Sequence, residues 1–155
     1  MDGKSHSRTP MSTSVKLSSN MARNSVDQTM YRSMIGSLLY LSASKLDILF
    51  SVGVGARFQA NPKESHMTAI KRILRYINAT TNFGMYFFRD TNLELARYSN
   101  ADWARNVDDR KSTSRGWFYI GTNMVAWMSK KQNSISLSTI EAEYIVAGSC
   151  CTQLI

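Results

Sequence analysis

Apolar residues recur at helical spacing in the first half of the chain and predict three helices. The first covers Thr29–Leu41. The second follows Asp47, whose carboxylate can cap the N–H groups of a first turn. The third begins at Asn61-Pro62, a good N-cap followed by a proline in the first helical position. The pattern therefore predicts a helical segment over residues 29–80, after a disordered lead-in over residues 1–28 that is rich in Ser, Asn and Thr.

The second half changes to the alternation typical of strands. The predicted strands are 84–89, 93–102, 112–120 and 124–129. Asp90-Thr91-Asn92 and Gly121-Thr122-Asn123 have the composition of short turns. The chain thus has an α+β pattern, in which helices and strands are segregated along the sequence.

A last helix is predicted to start at Ser138, because Glu141 follows it at the spacing of a capping box. Along that helix one face aligns Ile140, Tyr144, Ala147 and Cys151. No strand follows the helix, so we expect the sheet to be truncated and only marginally stable.

The aromatic residues of the predicted hairpin can be interpreted in two ways. These residues are Trp117, Phe118, Tyr119 and Trp127. Core and cross-strand packing is the simpler interpretation, and stacking on nucleic-acid bases is the alternative. His66 is expected at the surface, since no His or Cys lies at metal-ligand spacing from it.

The composition predicts a protein with a hydrophobic core and without a membrane-spanning segment. Of its 155 residues, 43% are apolar, yet no apolar run reaches the ~18 residues of a membrane span. The N-terminus lacks the apolar stretch of a signal peptide, so we expect a cytoplasmic or nuclear protein. The adjacent Cys150 and Cys151 suggest a reducing compartment and no metal cage.

The net charge of +8 is concentrated in the first half and suggests a polyanionic partner. Residues 1–78 carry 11 basic and 4 acidic side chains, whereas residues 79–155 carry 8 and 7. The candidate nucleic-acid contacts are Lys71, Arg72, Arg75, Lys130 and Lys131. Ordinary solvated helix faces would look the same, so that alternative stays open. We expect weak electrostatic binding of nucleic acid, no membrane contact and no small-molecule substrate.

Acidic and amide side chains lie where a strand ends and a helix begins. Side chains two apart share a face of a strand, so Tyr98, Asn100 and Asp102 are predicted to point the same way. Glu141 and Glu143 lie in the first turns of the last helix. Carboxylates from a strand end and a helix are a common start of a Mg²⁺ site for phosphoryl chemistry.

Several motifs occur in a characteristic order over nearly the whole chain from Thr9. They include Tyr31-Arg32-Ser33-Met34-Ile35-Gly36-Ser37-Leu38-Leu39-Tyr40-Leu41, Asn61-Pro62-Lys63-Glu64-Ser65-His66, Ala101-Asp102-Trp103-Ala104, Asp108-Asp109-Arg110-Lys111-Ser112-Thr113-Ser114, Ser129-Lys130-Lys131-Gln132 and Glu141-Ala142-Glu143-Tyr144. With these motifs the chain resembles the Pol polyproteins of Ty1/copia-type LTR retrotransposons.

The resemblance implies two parts. Residues up to about 80 would be the thumb and connection region at the end of the reverse transcriptase. Residues 84–155 would be an incomplete RNase H-like domain, a truncated β-β-β-α unit. Such domains hydrolyse the RNA strand of an RNA–DNA hybrid with Mg²⁺ ions held by carboxylates.

The family's catalytic residues carry over incompletely. The first catalytic aspartate of the family aligns with Asn100, and an amide offers a neutral oxygen where an anion is needed. The helix glutamate aligns with Glu143. Asp102 shares the strand face but lies roughly 6–7 Å from the Asn100 position, so it would hold an ion weakly at best. The third carboxylate would come from a strand after the last helix. The resemblance also places glycine where Arg105 and Arg115 stand.

These departures predict a degenerate polyprotein fragment without RNase H activity and without tightly bound Mg²⁺. The RNA–DNA hybrid remains the expected partner, bound weakly through basic side chains. A non-catalytic nucleic-acid-binding protein or an effector-like small interaction protein is the alternative.

Overall fold

The computed structural model describes residues 7–12, 17–19 and 24–152 and confirms the α+β prediction. The elements are α1 (Gln28–Leu41), α2 (Leu46–Ala56), α3 (Glu64–Ala79), β1 (Leu95–Asp102), β2 (Thr113–Ile120), β3 (Asn123–Lys131) and α4 (Thr139–Cys151). The chain forms two compact units, Met1–Met85 with the first three helices and Tyr86–Ile155 with the sheet and α4. Within the described ranges, no helix is long and apolar enough to cross a membrane.

The core of the first unit is formed by apolar side chains from all three helices, although Leu74, which the helical spacing predicts to be buried, is exposed. Its buried members are Tyr31, Ile35, Leu38, Ile48, Val52, Met67, Ile70 and Ile73. The Tyr31 hydroxyl donates to the carbonyl of Gly55 at 2.9 Å, which joins α1 to the end of α2. Burial raises the pKa of this hydroxyl, so it stays a neutral donor.

The start of α1 is fixed by a side-chain cap. Asp27 Oδ1 accepts from the N–H groups of Thr29 and Met30, at 2.8 and 3.3 Å. Just before it, the Val26 N–H donates to Pro62 and the Glu64 N–H donates to Asn24. Residues 24–27 of the predicted lead-in are therefore held against the start of α3 and cap α1.

Two helices begin at other residues than predicted. Lys45 rather than Asp47 is the N-cap of α2, and Asp47 Oδ2 instead accepts from the Tyr76 hydroxyl at 2.7 Å. The N-cap of α3 is Lys63, two residues after the predicted Asn61. Asp47 is thus used in a tertiary contact, whereas α3 starts with a local contact between the Lys63 N–H and the His66 ring.

His66 is fully buried, so the prediction of a surface position is wrong. Its Nδ1 accepts from the Lys63 N–H at 3.1 Å, while Nε2 lies 3.1 Å from the Ser18 carbonyl. The ring also stacks on Phe58 with centroids 4.0 Å apart. A neutral imidazole protonated on Nε2 satisfies both polar contacts. His66 therefore anchors the start of α3.

The second unit is built on an antiparallel sheet in the order β1-β2-β3. The predicted hairpin forms, with its turn at Gly121-Thr122. The predicted strand 84–89 is wrong, because that segment has no regular pairing. Asn123 instead accepts from the Phe88 N–H at 2.7 Å and donates to the Phe88 carbonyl at 2.8 Å, in place of a strand ladder.

Helix α4 packs on one face of this sheet through small and apolar side chains. Phe118, Val146 and Cys150 are buried there, with Ala101 and Met128 beside them. A Cβ on Gly116 would lie 2.9 Å from the Cys150 sulphur, so only glycine permits this close approach.

The face of α4 that the apolar pattern singles out is not the buried one. The exposed fractions of Ile140 and Tyr144 are 67% and 76%, whereas Ala142, Val146 and Cys150 are fully buried. The capping prediction is confirmed in part. Ser138 Oγ accepts from the Glu141 N–H at 3.1 Å, but Glu141 accepts from Leu137 rather than from Ser138.

Candidate functional site

Glu143 reaches from α4 to the backbone at the end of β1. Its Oε1 accepts from the Ala101 N–H at 2.9 Å, on the side of β1 away from β2. The carboxylate also lines an open groove of about 470 Å³ together with Ser99, Thr139, Ile140, Tyr144 and Ala147. The structure thus brings Glu143 to the residue that directly follows Asn100.

Asn100 lies on the sheet face opposite α4 and is exposed. Its neighbour Ala101 packs toward α4, so strand alternation turns Asn100 the other way. Arg115 of β2 is its cross-strand partner. The side chain at the family's aspartate position is therefore a neutral amide beside a guanidinium group.

Asp102 shares this face, and its carboxylate is bound by two arginines. Its Oδ2 lies 3.1 Å from Arg115 Nη2 and 3.2 Å from Arg105 Nη1. Both arginines stand where the resemblance places glycine. A metal ion at Asp102 would have to displace them or lie beside two positive charges. Among the described residues, no group of three or more His, Cys, Asp or Glu side chains could hold a metal ion.

The three basic residues of α3 that are predicted to contact nucleic acid differ in whether they already bond to other residues of the chain. Lys71 and Arg75 are exposed one turn apart on α3. Arg72 lies beside them, but its guanidinium donates to the carbonyl and hydroxyl of Thr9, at 3.1 and 2.8 Å. Lys71 and Arg75 are thus the members of this set that project into solvent.

The two lysines at the end of β3 are also unlike each other. Lys130 is exposed, whereas Lys131 forms an ion pair with Asp109. The Lys111 N–H donates to the same carboxyl at 3.2 Å. Burial raises the pKa of Asp109, but the hydrogen bonds and charges of Lys131 and Lys111 outweigh it, so its pKa lies below the ordinary 3.8.

Asp109→Asn is expected to remove an acid-sensitive contribution to stability. A lowered pKa in the folded state means that the stabilisation is present above pH 3.8 and is lost as the pH falls through the folded-state value. Urea unfolding at a series of pH values measures it. The midpoints of wild type and variant should converge below pH 3.8, and a constant difference across the series would contradict the assignment.

Comparison with known proteins decides the family. The chain is 42% identical over 136 residues to the Retrovirus-related Pol polyprotein from transposon RE1 of Arabidopsis thaliana. That alignment covers 88% of this chain and 9% of the Arabidopsis protein. It is 36% identical over 146 residues to the corresponding protein from transposon RE2, covering 94% and 10%. This chain belongs to the Pol polyproteins of Ty1/copia-type retrotransposons.

The chain spans about a tenth of the length of these Pol relatives. It is also 40% identical over 116 residues to Secreted RxLR effector protein 161 of Plasmopara viticola, covering 74% of this chain and 82% of that protein. No protein-family model matches the chain. No solved structure matches it significantly.

In this Pol segment, Gln132 holds three parts of the second unit together. Its buried amide nitrogen donates to Ser114 Oγ at 3.1 Å and to the Ala142 carbonyl at 2.9 Å. Its Oε1 accepts from the Ser136 hydroxyl at 3.0 Å. The motif Ser129-Lys130-Lys131-Gln132 marked the position, but no sequence signal assigned the glutamine this role.

Trp103 fixes the same loop from the other side. Its indole N–H donates to the Ser136 carbonyl at 3.0 Å, so the tryptophan of the Ala101-Asp102-Trp103 motif anchors the segment that leads into α4. This hydrogen bond ties the end of β1 to the loop that leads into α4, the helix that bears Glu143.

The cysteines of this Pol segment are free, and Cys150 is buried. Burial raises the pKa of the Cys150 thiol, and the nearby Arg97 charge lowers it less. The thiol therefore stays protonated and packs as an apolar group rather than acting as a nucleophile.

Proposed function

We propose that this Pol segment comprises the end of a reverse transcriptase and the beginning of an RNase H domain. A three-helix unit followed by an antiparallel β-β-β sheet and a helix supports this assignment. Glu143, which aligns with the family's helix glutamate, contacts the backbone of Ala101, the residue after Asn100. We further propose that this polypeptide does not hydrolyse RNA–DNA hybrids.

The main support for the proposed loss of activity is that Asn100 has a neutral amide at the position of the family's first catalytic aspartate. Mg²⁺ prefers anionic oxygen ligands, and hybrid hydrolysis relies on metal ions held by several carboxylates. The other acids are engaged as well, because Asp102 is bound by two guanidinium groups and Glu143 by a backbone N–H. These residues do not fit a site for catalytic Mg²⁺.

The test is incubation of the purified chain with a labelled RNA–DNA hybrid in Mg²⁺ or Mn²⁺, with an active RNase H as positive control. No metal-dependent cleavage is expected. Glu143→Gln is the matched variant, because it removes the charge but keeps an oxygen acceptor for Ala101. Cleavage that this variant abolishes would overturn the proposal, as would tight stoichiometric uptake of Mg²⁺ measured by calorimetry.

We also propose that the segment retains weak, salt-dependent binding of nucleic acid. The exposed cations Lys71 and Arg75 on α3 and Lys130 on β3 support it. A gel-shift titration with an RNA–DNA hybrid should show affinity that falls as salt rises. Lys71→Gln with Arg75→Gln should weaken the shift more than Arg89→Gln with Arg110→Gln, which removes equal charge from exposed sites elsewhere. No shift at low salt would refute the binding.

A second candidate is an effector-like interaction protein. It is favoured by the match to Secreted RxLR effector protein 161, because that match covers 82% of a short protein. The two candidates can be separated by expressing the tagged chain in cultured cells and blotting the medium and the cell fractions for the tag. Accumulation in the medium would favour the effector candidate, and retention in cells the polyprotein segment.

A further inference from the structure

Thr9 is an exposed threonine in a segment without helix or strand, residues 7–12, that contacts α3. Two oxygens of Thr9 accept from the Arg72 guanidinium, the hydroxyl from Nη2 at 2.8 Å and the carbonyl from Nε at 3.1 Å. The Ser7 hydroxyl donates to the same carbonyl at 2.8 Å. Because the Thr9 hydroxyl is the acceptor toward Arg72, its own proton is not used in that bond.

A proline follows this threonine directly. The chain has two prolines, and the other one, Pro62, follows Asn61, so Thr9 is the one serine or threonine with a proline after it. Proline biases the residue before it toward an extended backbone. An exposed hydroxyl on an extended segment can enter the cleft of a modifying enzyme, and Thr-Pro is the sequence that proline-directed protein kinases select. Thr9 therefore has both the accessibility and the sequence of a phosphate acceptor.

The α3 surface next to Thr9 is cationic. Lys71 and Arg75 are exposed on α3 beside Arg72. Glu64 is the one acidic residue of this helix and lies eight residues before Arg72, roughly 12 Å along the helix axis. Within the described residues, no carboxylate forms an ion pair with Arg72. An anionic group on Thr9 would thus meet a guanidinium group that the chain already directs at it.

We propose that Thr9 is a phosphorylation site and that Arg72 binds the phosphate. A protein kinase transfers the γ-phosphoryl group of a nucleoside triphosphate to Thr9 Oγ1. The bond between the γ-phosphorus and the bridging oxygen breaks, a P–O bond to Oγ1 forms, the hydroxyl proton passes to a base of the kinase, and the nucleoside diphosphate leaves. The new group carries a charge of about −1.5 to −2 at pH 7 and three acceptor oxygens. The planar fork of Arg72 matches two of them.

Phosphorylation at this site lowers the affinity of α3 for nucleic acid. This consequence rests on the hybrid binding through Lys71 and Arg75 proposed above, whereas the phosphate site itself does not. A phosphate on Thr9 offsets the positive charge of this surface and repels the phosphates of the hybrid. Withdrawal of one cation–phosphate contact should lower the association constant about eightfold at 0.1 M salt and make the salt dependence shallower by about 0.9 in slope.

The first experiment treats the purified chain with a proline-directed protein kinase and ATP. Peptide mass spectrometry should find one phosphate, on Thr9. Thr9→Ala should take up none, and Ser7→Ala should be modified like wild type because no proline follows residue 7. A synthetic peptide with the sequence of residues 5–13 is the positive control for the kinase.

The second experiment follows the phosphate by ³¹P NMR during a pH titration. Pairing with a guanidinium group favours the dianion, so the second pKa of the phosphate should lie below its ordinary value of about 6. In Arg72→Gln it should return toward that value. A role of Arg72 in stability alone would not move this pKa.

The third experiment is a gel-shift titration with the RNA–DNA hybrid at 0.1 M salt. The phosphorylated chain should bind about eightfold more weakly than the unmodified chain. Kinase treatment of Thr9→Ala should leave the affinity of that variant unchanged.

Three results would overturn the proposal. These are no phosphate on Thr9 in the chain when the peptide is modified, the same phosphate pKa in wild type and Arg72→Gln, and equal hybrid affinity of the modified and unmodified chains. Absence of hybrid binding by the unmodified chain would instead refute the binding proposed above. A Thr9 phosphate with an Arg72-dependent pKa would still support the phosphorylation site in that case.

Discussion

Gly121→Ala is expected to destabilise the second unit by about 3 kcal/mol. Gly121 has a φ of +57°, in the left-handed region that strains any residue with a Cβ. A Cβ there would also overlap the Asn92 carbonyl and Thr91 Oγ1. The turn cannot move away freely, since the Gly121 N–H donates to the Glu94 carbonyl at 2.7 Å.

Urea unfolding followed by tryptophan fluorescence measures this effect, because all three tryptophans of the chain lie in the second unit. Gly148→Ala is the matched control. Apart from its chain neighbours and the backbone of its own helix, nothing lies within 4 Å of the Cβ that it adds to α4, so helix propensity should raise stability by about 0.5–1 kcal/mol. An unchanged midpoint for Gly121→Ala would show that the turn tolerates a side chain.

Gln132→Ala is expected to cost a similar amount, about 3 kcal/mol. The amide is buried, and its loss leaves the Ser114 hydroxyl, the Ser136 hydroxyl and the Ala142 carbonyl without this partner. It also leaves a small cavity between the sheet and α4. Gln132 joins β2, the loop before α4 and α4 itself, so its removal should destabilise the packing of all three.

The same unfolding measurement applies, with a graded series of variants. Ser136→Ala removes one of the three hydrogen bonds and should cost about 1 kcal/mol. Asn133→Ala changes the exposed neighbour and should have little effect. If Gln132→Ala and Asn133→Ala gave equal midpoints, the hydrogen bonds of Gln132 would not be holding the unit together.

The helices of the first unit could be predicted from sequence because their apolar spacing is regular and their core is local. Ile35, Ile48 and Ile70 are all buried where the pattern places them. Their first residues were harder to predict. The His66 ring accepts from the Lys63 N–H at the start of α3, and the same ring contacts Phe58 and Ser18. Ser18 lies 48 residues from His66, and a local pattern does not encode such a contact.

The sheet shows the limit of the alternation signal. Residues 84–89 have the composition of a strand, yet Asn123 takes both backbone groups of Phe88 that a neighbouring strand would need. On α4 the larger apolar residues Ile140 and Tyr144 suggested the buried face. Gly116 has no side chain, so Cys150 packs closely against it, and Ala142 and Val146 are buried along the same helix.

At the candidate site, the sequence predicted the meeting of the end of β1 with α4, and Glu143 does reach the backbone beside Asn100. The two arginines on Asp102 could not be predicted from spacing. Arg105 lies in a loop and Arg115 on another strand, so only the folded register brings both to one oxygen. The roles of Asn100, Asp102 and Glu143 in metal binding remain predictions for the assays above.

Glu143 has a further consequence for how copies of this chain meet. In the sheet formed by the described residues, β1 is an edge strand, and the N–H groups of Arg97, Ser99 and Ala101 point away from β2. The Glu143 carboxylate accepts from the Ala101 N–H, so a strand from another molecule could pair only with the earlier residues of β1. Glu143→Ala would leave the Ala101 N–H unpaired as well, which would lengthen the unpaired edge of β1 and promote edge-to-edge association of copies of this chain.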